Sequence, residues 1–183
     1  MLGHVDTFSP GLLVAMPQMG DPNFERAVIL MVEHSAEGAM GIICNRPGTM
    51  AVEELARSHG FPCSDGAGFV LVGGPVDRER GFILHRLPQI EEALDLADGV
   101  RLSVSKDSVP PILAGPADDW RFCLGYAGWG PGQLEQEVVA GAWLTAPLSA
   151  RRLFDTPPGQ IWSAVIRDLG VDPAFLVPGT GLH

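Results

Sequence analysis

Lysine is almost missing from this chain. Of its twelve basic residues eleven are arginine and one is Lys106, set against twenty-two acidic residues, for a formal net charge of −10. The arginines form no dense cluster, "RERGFILHR" and Arg151–Arg152 being their closest approaches. A surface of this sign repels the phosphate backbone from which most nucleic-acid affinity comes, and no helix-turn-helix or zinc-finger pattern is present. Direct contact with DNA or RNA is not expected.

Cysteine is scarce as well. Cys44, Cys63 and Cys123 are odd in number and widely separated, giving neither a CxxC pair nor a disulfide framework. A reducing cytoplasm is the simplest setting. Long apolar runs are missing: no window approaches the roughly 20 residues of a membrane span. The start "MLGHVDTFSPGLLVAMPQ" has no basic region leading into a long apolar stretch, so no signal peptide is expected. The usual catalytic signatures are absent too. There is no HExxH, no G-x-S-x-G, no GxxxxGK[ST], and no GxGxxG in a βαβ setting. Neither metal nor cofactor is expected.

Glycine and proline are abundant, 23 and 16 of 183 residues, and spread along the chain rather than gathered in tracts. That distribution implies many tight turns between short elements within one domain, residues 1–183. "GLLVAMPQ" predicts a strand ended by Pro17, and "DPNF" a turn. "RAVILMVEH" is a strand covered on both faces, and "MGIICNRPG" returns beside it as a hairpin partner that Pro47 stops. "MAVEELARSHG" predicts a helix ended by Gly60. "GFVLVGGPV" and "GFILHR" read as paired strands joined by the polar turn "DRER". "RLSVS", "RFCLGYAG" and "AWLTAPL" are further strands, and "KDSVPPILAG" at most one helical turn. A helix follows Pro131 through Leu134 and Val138. Another carries Ile161, Val165 and Leu169, with Thr156 as candidate N-cap, Pro157 at its first position and Gly170 at its end. Seven or eight strands with two to four short helices, and no regular βαβ alternation, make an α+β protein.

A few side chains stand where chemistry could occur. His34 and His85 each end an apolar strand, and with a carboxylate such as Glu33 or Asp77 either could move protons. Each could equally be a structural ring whose nitrogens satisfy nearby backbone. His4, His59 and His183 sit near termini or loops and are read as bystanders. Cys44, with Arg46 two residues on, is the better thiol candidate, although a buried cysteine is normally inert. In "NRP", Arg46 could fork onto an anionic ligand or pair with an internal acid such as Glu33. "GYAGWGPGQLEQE" reads either as a hard corner leading into a helix or as a loop offering backbone amides to an anion.

Taken in order, "DPNF", "EH" with "GAMGIICNRP", "GGPV", "LH", "GYAGWGPGQLEQE" and "GAW" resemble the AlgH/YqgE family of bacterial proteins, from about Gly11 to Trp143. The resemblance implies an α+β fold in which a bifurcated, largely antiparallel sheet curls into a pseudo-barrel with flanking short helices. It brings no established reaction, and the transcriptional-regulator label of some members rests on genetic association. The family motifs fall on Pro22, Asn23, Phe24, His34, Gly41, Asn45, Arg46, Pro47, Gly73, Gly74, Pro75, His85, Gly125, Tyr126, Gly128, Trp129, Gln133 and Glu135. From these we expect a ligand or partner site drawn from Asn23, Phe24, His34, Asn45, Arg46, His85, Tyr126, Trp129 and Gln133. The first expectation is a non-enzymatic, cytoplasmic binding domain for a small anion or protein partner, any transcriptional effect being indirect. An acid/base enzyme using His34 or His85, and an interaction module anchored by exposed Trp129 or Phe24, are the alternatives.

Overall fold

A computed structural model of the chain describes residues 7–176, so His4 and His183 lie outside the described residues. The side chains of Ala27 to Met31 are fully buried, a pattern that forces cover on both faces of the strand they form. That strand is β2 (Val28–Ser35), which pairs antiparallel with β1 (Gly11–Ala15) on one edge and β3 (Gly38–Ile43) on the other. The chain continues through β4 (Pro47–Ala51), α1 (Val52–Ser58), β5 (Phe69–Val72), β6 (Val76–His85), β7 (Leu94–Asp95) and β8 (Arg101–Ser103). Then follow α2 (Val109–Leu113), β9 (Trp120–Trp129), α3 (Gln133–Val139), β10 (Trp143–Ala146), α4 (Ala150–Phe154) and α5 (Pro158–Asp168).

All ten strands join one sheet, whose main path is β10-β1-β2-β3-β9-β6-β8-β7. The fork lies at β9. One of its edges pairs with β6 from Trp120 to Tyr126. The other edge is shared: β5 runs parallel to it at Cys123 and Leu124, then β3 runs antiparallel at Ala127 to Trp129. β5 in turn carries β4. The result is the expected α+β class: a bifurcated, largely antiparallel sheet curled into a half-barrel, with short helices around it.

Glycine makes the fork possible. Gly74 (φ +155) lies with its backbone against Tyr126, and Gly125 (φ +82) lies against the Gly74 carbonyl; a Cβ on either would collide with main chain. The Gly73 carbonyl accepts from Ile43 N–H at 2.8 Å, and Gly73 N–H donates to the Leu124 carbonyl at 2.8 Å. The "GGP" and "GY" motifs are therefore two sides of one backbone seam.

Three apolar clusters fill the space around the sheet. Leu12, Val14, Val28 and Leu30 pack with Ile161, Trp162, Val165 and Ile166 of α5, whose Trp162 Nε1–H donates to the Ala15 carbonyl at 2.9 Å. Leu13, Ile29, Met31, Trp129 and Trp143 pack under Leu134 of α3. Val70, Ile83 and Trp120 pack with Val52 and Ala56 of α1 and Ile112 and Leu113 of α2. Among the described residues no helix is long and apolar enough to cross a membrane.

Several local expectations need correction. "DRER" is no turn and β5 and β6 are not partners. Between the pairs Val76↔Tyr126 and Gly81↔Leu124, β6 advances five residues while β9 advances two, so Asp77 to Arg80 bulge out of a continuous strand. Pro47 opens β4, because as its first residue it needs no ladder donor. Pro110 and Pro111 fall in the first turn of α2, where their missing amides are no loss. At α5 the helix begins one residue later than expected, with Pro157 as N-cap and Pro158 at the first position. Finally α4, too short to show periodicity, went unforeseen, and ten strands with five α-helices exceed the expected numbers.

Candidate functional site

The turn after Gly20 is held from three directions. Phe24 enters the apolar cluster, stacking on Trp129 with centroids 6.4 Å apart and meeting Trp143 edge-on at 5.7 Å. Asn45 accepts from Val28 N–H and donates to the Arg26 carbonyl, both at 2.9 Å, which uses its amide at both ends. Arg46 donates through Nη1 to the Asn23 carbonyl and through Nη2 to the Glu25 carbonyl, the latter at 2.5 Å. Arg46 thus pairs with the turn's carbonyls and not with Glu33, and no carboxylate lies within ion-pair range of it among the described residues. Its charge is positioned yet unneutralised.

At the opposite end of β2, roughly 20 Å along the strand, His34 is enclosed. Its side chain is only 1% exposed and stacks on Phe8 with centroids 4.9 Å apart. Nδ1 accepts from Phe8 N–H at 3.1 Å, while Nε2 meets a carboxylate oxygen of Glu135. The partner is therefore Glu135 in the first turn of α3, not Glu33, and both ring nitrogens are occupied. Gln133 accepts from Gly130 N–H at 3.0 Å, closing the turn that starts α3. "GYAGW" is not the corner: it is the last half of β9, and the bend falls at Gly130 to Gly132. Tyr126 and His34 line an open basin of about 790 Å³ shared with Arg80, Glu33 and Glu37. Trp129 borders that basin too, but at 7% exposure it serves as core and not as an exposed anchor.

His85 is fully buried. Its Nδ1 accepts from Leu87 N–H at 3.2 Å and its Nε2 meets Ser103 Oγ at 2.9 Å, while Ser103 Oγ–H donates to the Glu92 carbonyl at 2.8 Å. Asp77 is not among its partners. Burial, reinforced by the nearby Arg101 charge, lowers its pKa to about 4. Cys44 and Cys123 are buried free thiols in the α5-side cluster. Burial pushes Cys123 up to about 12 and Cys44 higher, so neither is a thiolate at neutral pH. Among the described residues no group of three or more His, Cys, Asp or Glu is disposed to hold a metal.

The nine expected site residues therefore divide. Asn23 and Arg46, with Asn45 beside them, stand at one end of the sheet; His34, Tyr126 and Gln133 stand at the other; Phe24, Trp129 and His85 are packing groups, the Trp129 ring meeting Phe24. The first end opens on a groove of about 440 Å³ that crosses β4 and β5, lined by Asn23, Arg46, Thr49, Met50, Val72 and Arg78 among others. Gly48 leaves its floor open: a Cβ there would press on Val72. Arg78 reaches the groove because the β6 bulge turns it out of the ladder. No Asp or Glu lines the groove, although the chain as a whole carries ten more acidic than basic residues. Sequence reading missed Arg78, Thr49, Met50 and Val72. The available signal was "GFVLV", a strand apolar at every position of which only Val70 and Leu71 are buried.

A family model described as AlgH-like matches residues 12–174 of this chain. The chain belongs to the AlgH-like family. A UPF0301 protein of Myxococcus xanthus (strain DK1622) is 46% identical to it over 177 residues, covering 96% of this chain and 98% of the other. A UPF0301 protein of Alcanivorax borkumensis is 42% identical over 176 residues, 93% of each. The AlgH-like fold recurs in the solution structure of the AlgH protein from Pseudomonas aeruginosa, with TM-score 0.73, 36% identity and full coverage of both chains. A crystal structure from Corynebacterium diphtheriae is similar at TM-score 0.72 and 27% identity, covering 87% of this chain and 86% of that one. AlgH-like membership carries the fold and assigns no reaction.

Proposed function

We propose that this AlgH-like protein is a non-enzymatic binding domain of the cytoplasm, and that its site is the groove across β4 and β5. The observation that carries this reading is the pairing of Arg46 and Arg78 on an apolar floor with no lining carboxylate, in a chain of net charge −10. Two unneutralised guanidiniums favour an anionic group, and Met50, Val70 and Val72 favour an apolar body attached to it. The closed hydrogen bonding of both imidazole candidates, His34 and His85, supports binding over acid/base chemistry, since neither ring has a nitrogen left for a substrate. Three unpaired thiols fit a reducing compartment. Any effect on transcription would then pass through what the groove binds.

Thermal-shift and calorimetric titration with phenyl phosphate and aromatic carboxylates tests this reading. A ligand that binds only the folded state raises the melting temperature in a saturable way. We expect that rise in the wild-type protein and its loss in Arg78→Glu, an exposed position, with circular dichroism checking that the variant is folded. A rise that persists in Arg78→Glu, or none with any of these anions, would overturn the reading.

A further inference from the structure

Resting on that reading of the groove, we infer that its occupant is an extended acidic peptide segment that adds to the open edge of β4. Three observations converge. First, β4 pairs only with β5, so its second edge carries no strand among the described residues. Pro47 blunts the first position of that edge and the pairing with β5 shifts register between Pro47 and Ala51, so of Gly48 to Ala51 only the amides that point away from β5 are offered there. Second, Met50 and Val72, which both line the groove, are 43% and 40% exposed, large apolar side chains that the three clusters leave uncovered. Third, Arg46, whose carbonyl accepts from Val72 N–H at 2.8 Å, and Arg78, whose backbone lies beside the Gly74–Gly125 seam, both line the groove and no carboxylate does, so an acidic segment meets uncompensated positive charge there.

These features match an extended chain better than a compact metabolite. Successive side chains of a strand point to opposite faces, so a peptide alternating apolar and acidic residues presents one set to Met50 and Val72. Its main chain extends the β4 ladder, and its carboxylates reach the Arg46 and Arg78 guanidiniums. Binding through main-chain hydrogen bonds tolerates sequence variation, while the two arginines select for acidic segments over basic ones.

The test uses the full chain and a fluorescein-labelled peptide of about six residues alternating Val or Thr with Glu. A matched peptide with Lys in place of Glu is the comparator. We expect saturable anisotropy for the acidic peptide, binding at least about tenfold weaker for the basic one, and a similar loss in Arg78→Glu that Arg78→Lys largely restores. Hydrogen exchange read by NMR should slow at those amides of Gly48 to Ala51 that point away from β5, and only when the acidic peptide is bound. If phenyl phosphate binds but the peptide does not, or binds without protecting β4 amides, the peptide inference fails and the anion groove stands. If neither binds, both fail. A dimer in sedimentation whose formation protects the same amides would overturn the inference in favour of a second copy of this chain.

Discussion

His85 enters the fold as a neutral ring. Leu87 N–H points at Nδ1, so a proton there would face a donor, and Ser103 Oγ takes the other nitrogen. Burial and the Arg101 charge bring its pKa from 6.5 to about 4. Since the folded value is depressed, the unfolded chain binds a proton first as pH falls, and stability is lost between about 6.5 and about 4. The loss amounts to about 3 kcal/mol for a shift of this size. Urea unfolding at neutral pH and near the lower end of that window measures it. The wild-type midpoint should fall, and His85→Asn, already weaker at neutral pH, should lose less on acidification. An equal acid loss in both proteins would show that another group carries it. Arg46 makes the complementary point about single residues. Its sequence position beside Asn45 and Pro47 left it between an anionic ligand and an internal acid such as Glu33, but the guanidinium fastens the carbonyls of the 21–25 turn and also lines the groove.

The elements divide by how far apart their partners lie. The β2–β3 hairpin was legible because its strands are separated by a short polar turn, and α5 because Ile161, Val165 and Ile166 recur at helical spacing. The fork at β9 was not legible, since β5, β6 and β3 all reach it across long stretches of chain. "DRER" looked like a turn because four polar residues in a row usually are one; inside β6 they form a bulge that no local pattern distinguishes. The seam itself can be tested. Gly74→Ala forces a Cβ into the Tyr126 backbone at a φ that disfavours any side chain, and should cost at least about 2 kcal/mol. Gly60→Ala, also at positive φ but facing open space, should cost only about 1 kcal/mol. Denaturant midpoints compare the two. Equal costs would mean that the close approach at the fork contributes nothing.

Across the entire chain the dominant property is charge. With ten more acidic than basic residues, the surface repels polyanions, and the groove is a local exception built from two arginines. At physiological salt we expect no measurable retardation of duplex DNA by the wild-type protein, whereas the acidic peptide, a far smaller anion, still binds. Retardation abolished by added salt would reverse the first expectation. Composition and local pattern were sufficient for the α+β class, for the positions of β1, β2, β3, α1, α3 and, to within a residue, α5, and for the absence of the standard catalytic motifs. Those properties depend on side-chain chemistry and on neighbours a few residues away. The ordered motifs were sufficient for the family, and some of them mark a backbone need such as the Gly73–Gly74 and Gly125 seam. The location of the groove depends instead on β4, β5, the β6 bulge and the 21–25 turn meeting in space. Likewise β2 separates Asn45 from His34 by its own length, dividing a set of residues that had read as one site. No short-range pattern encodes either result, because each arises from long-range strand pairing.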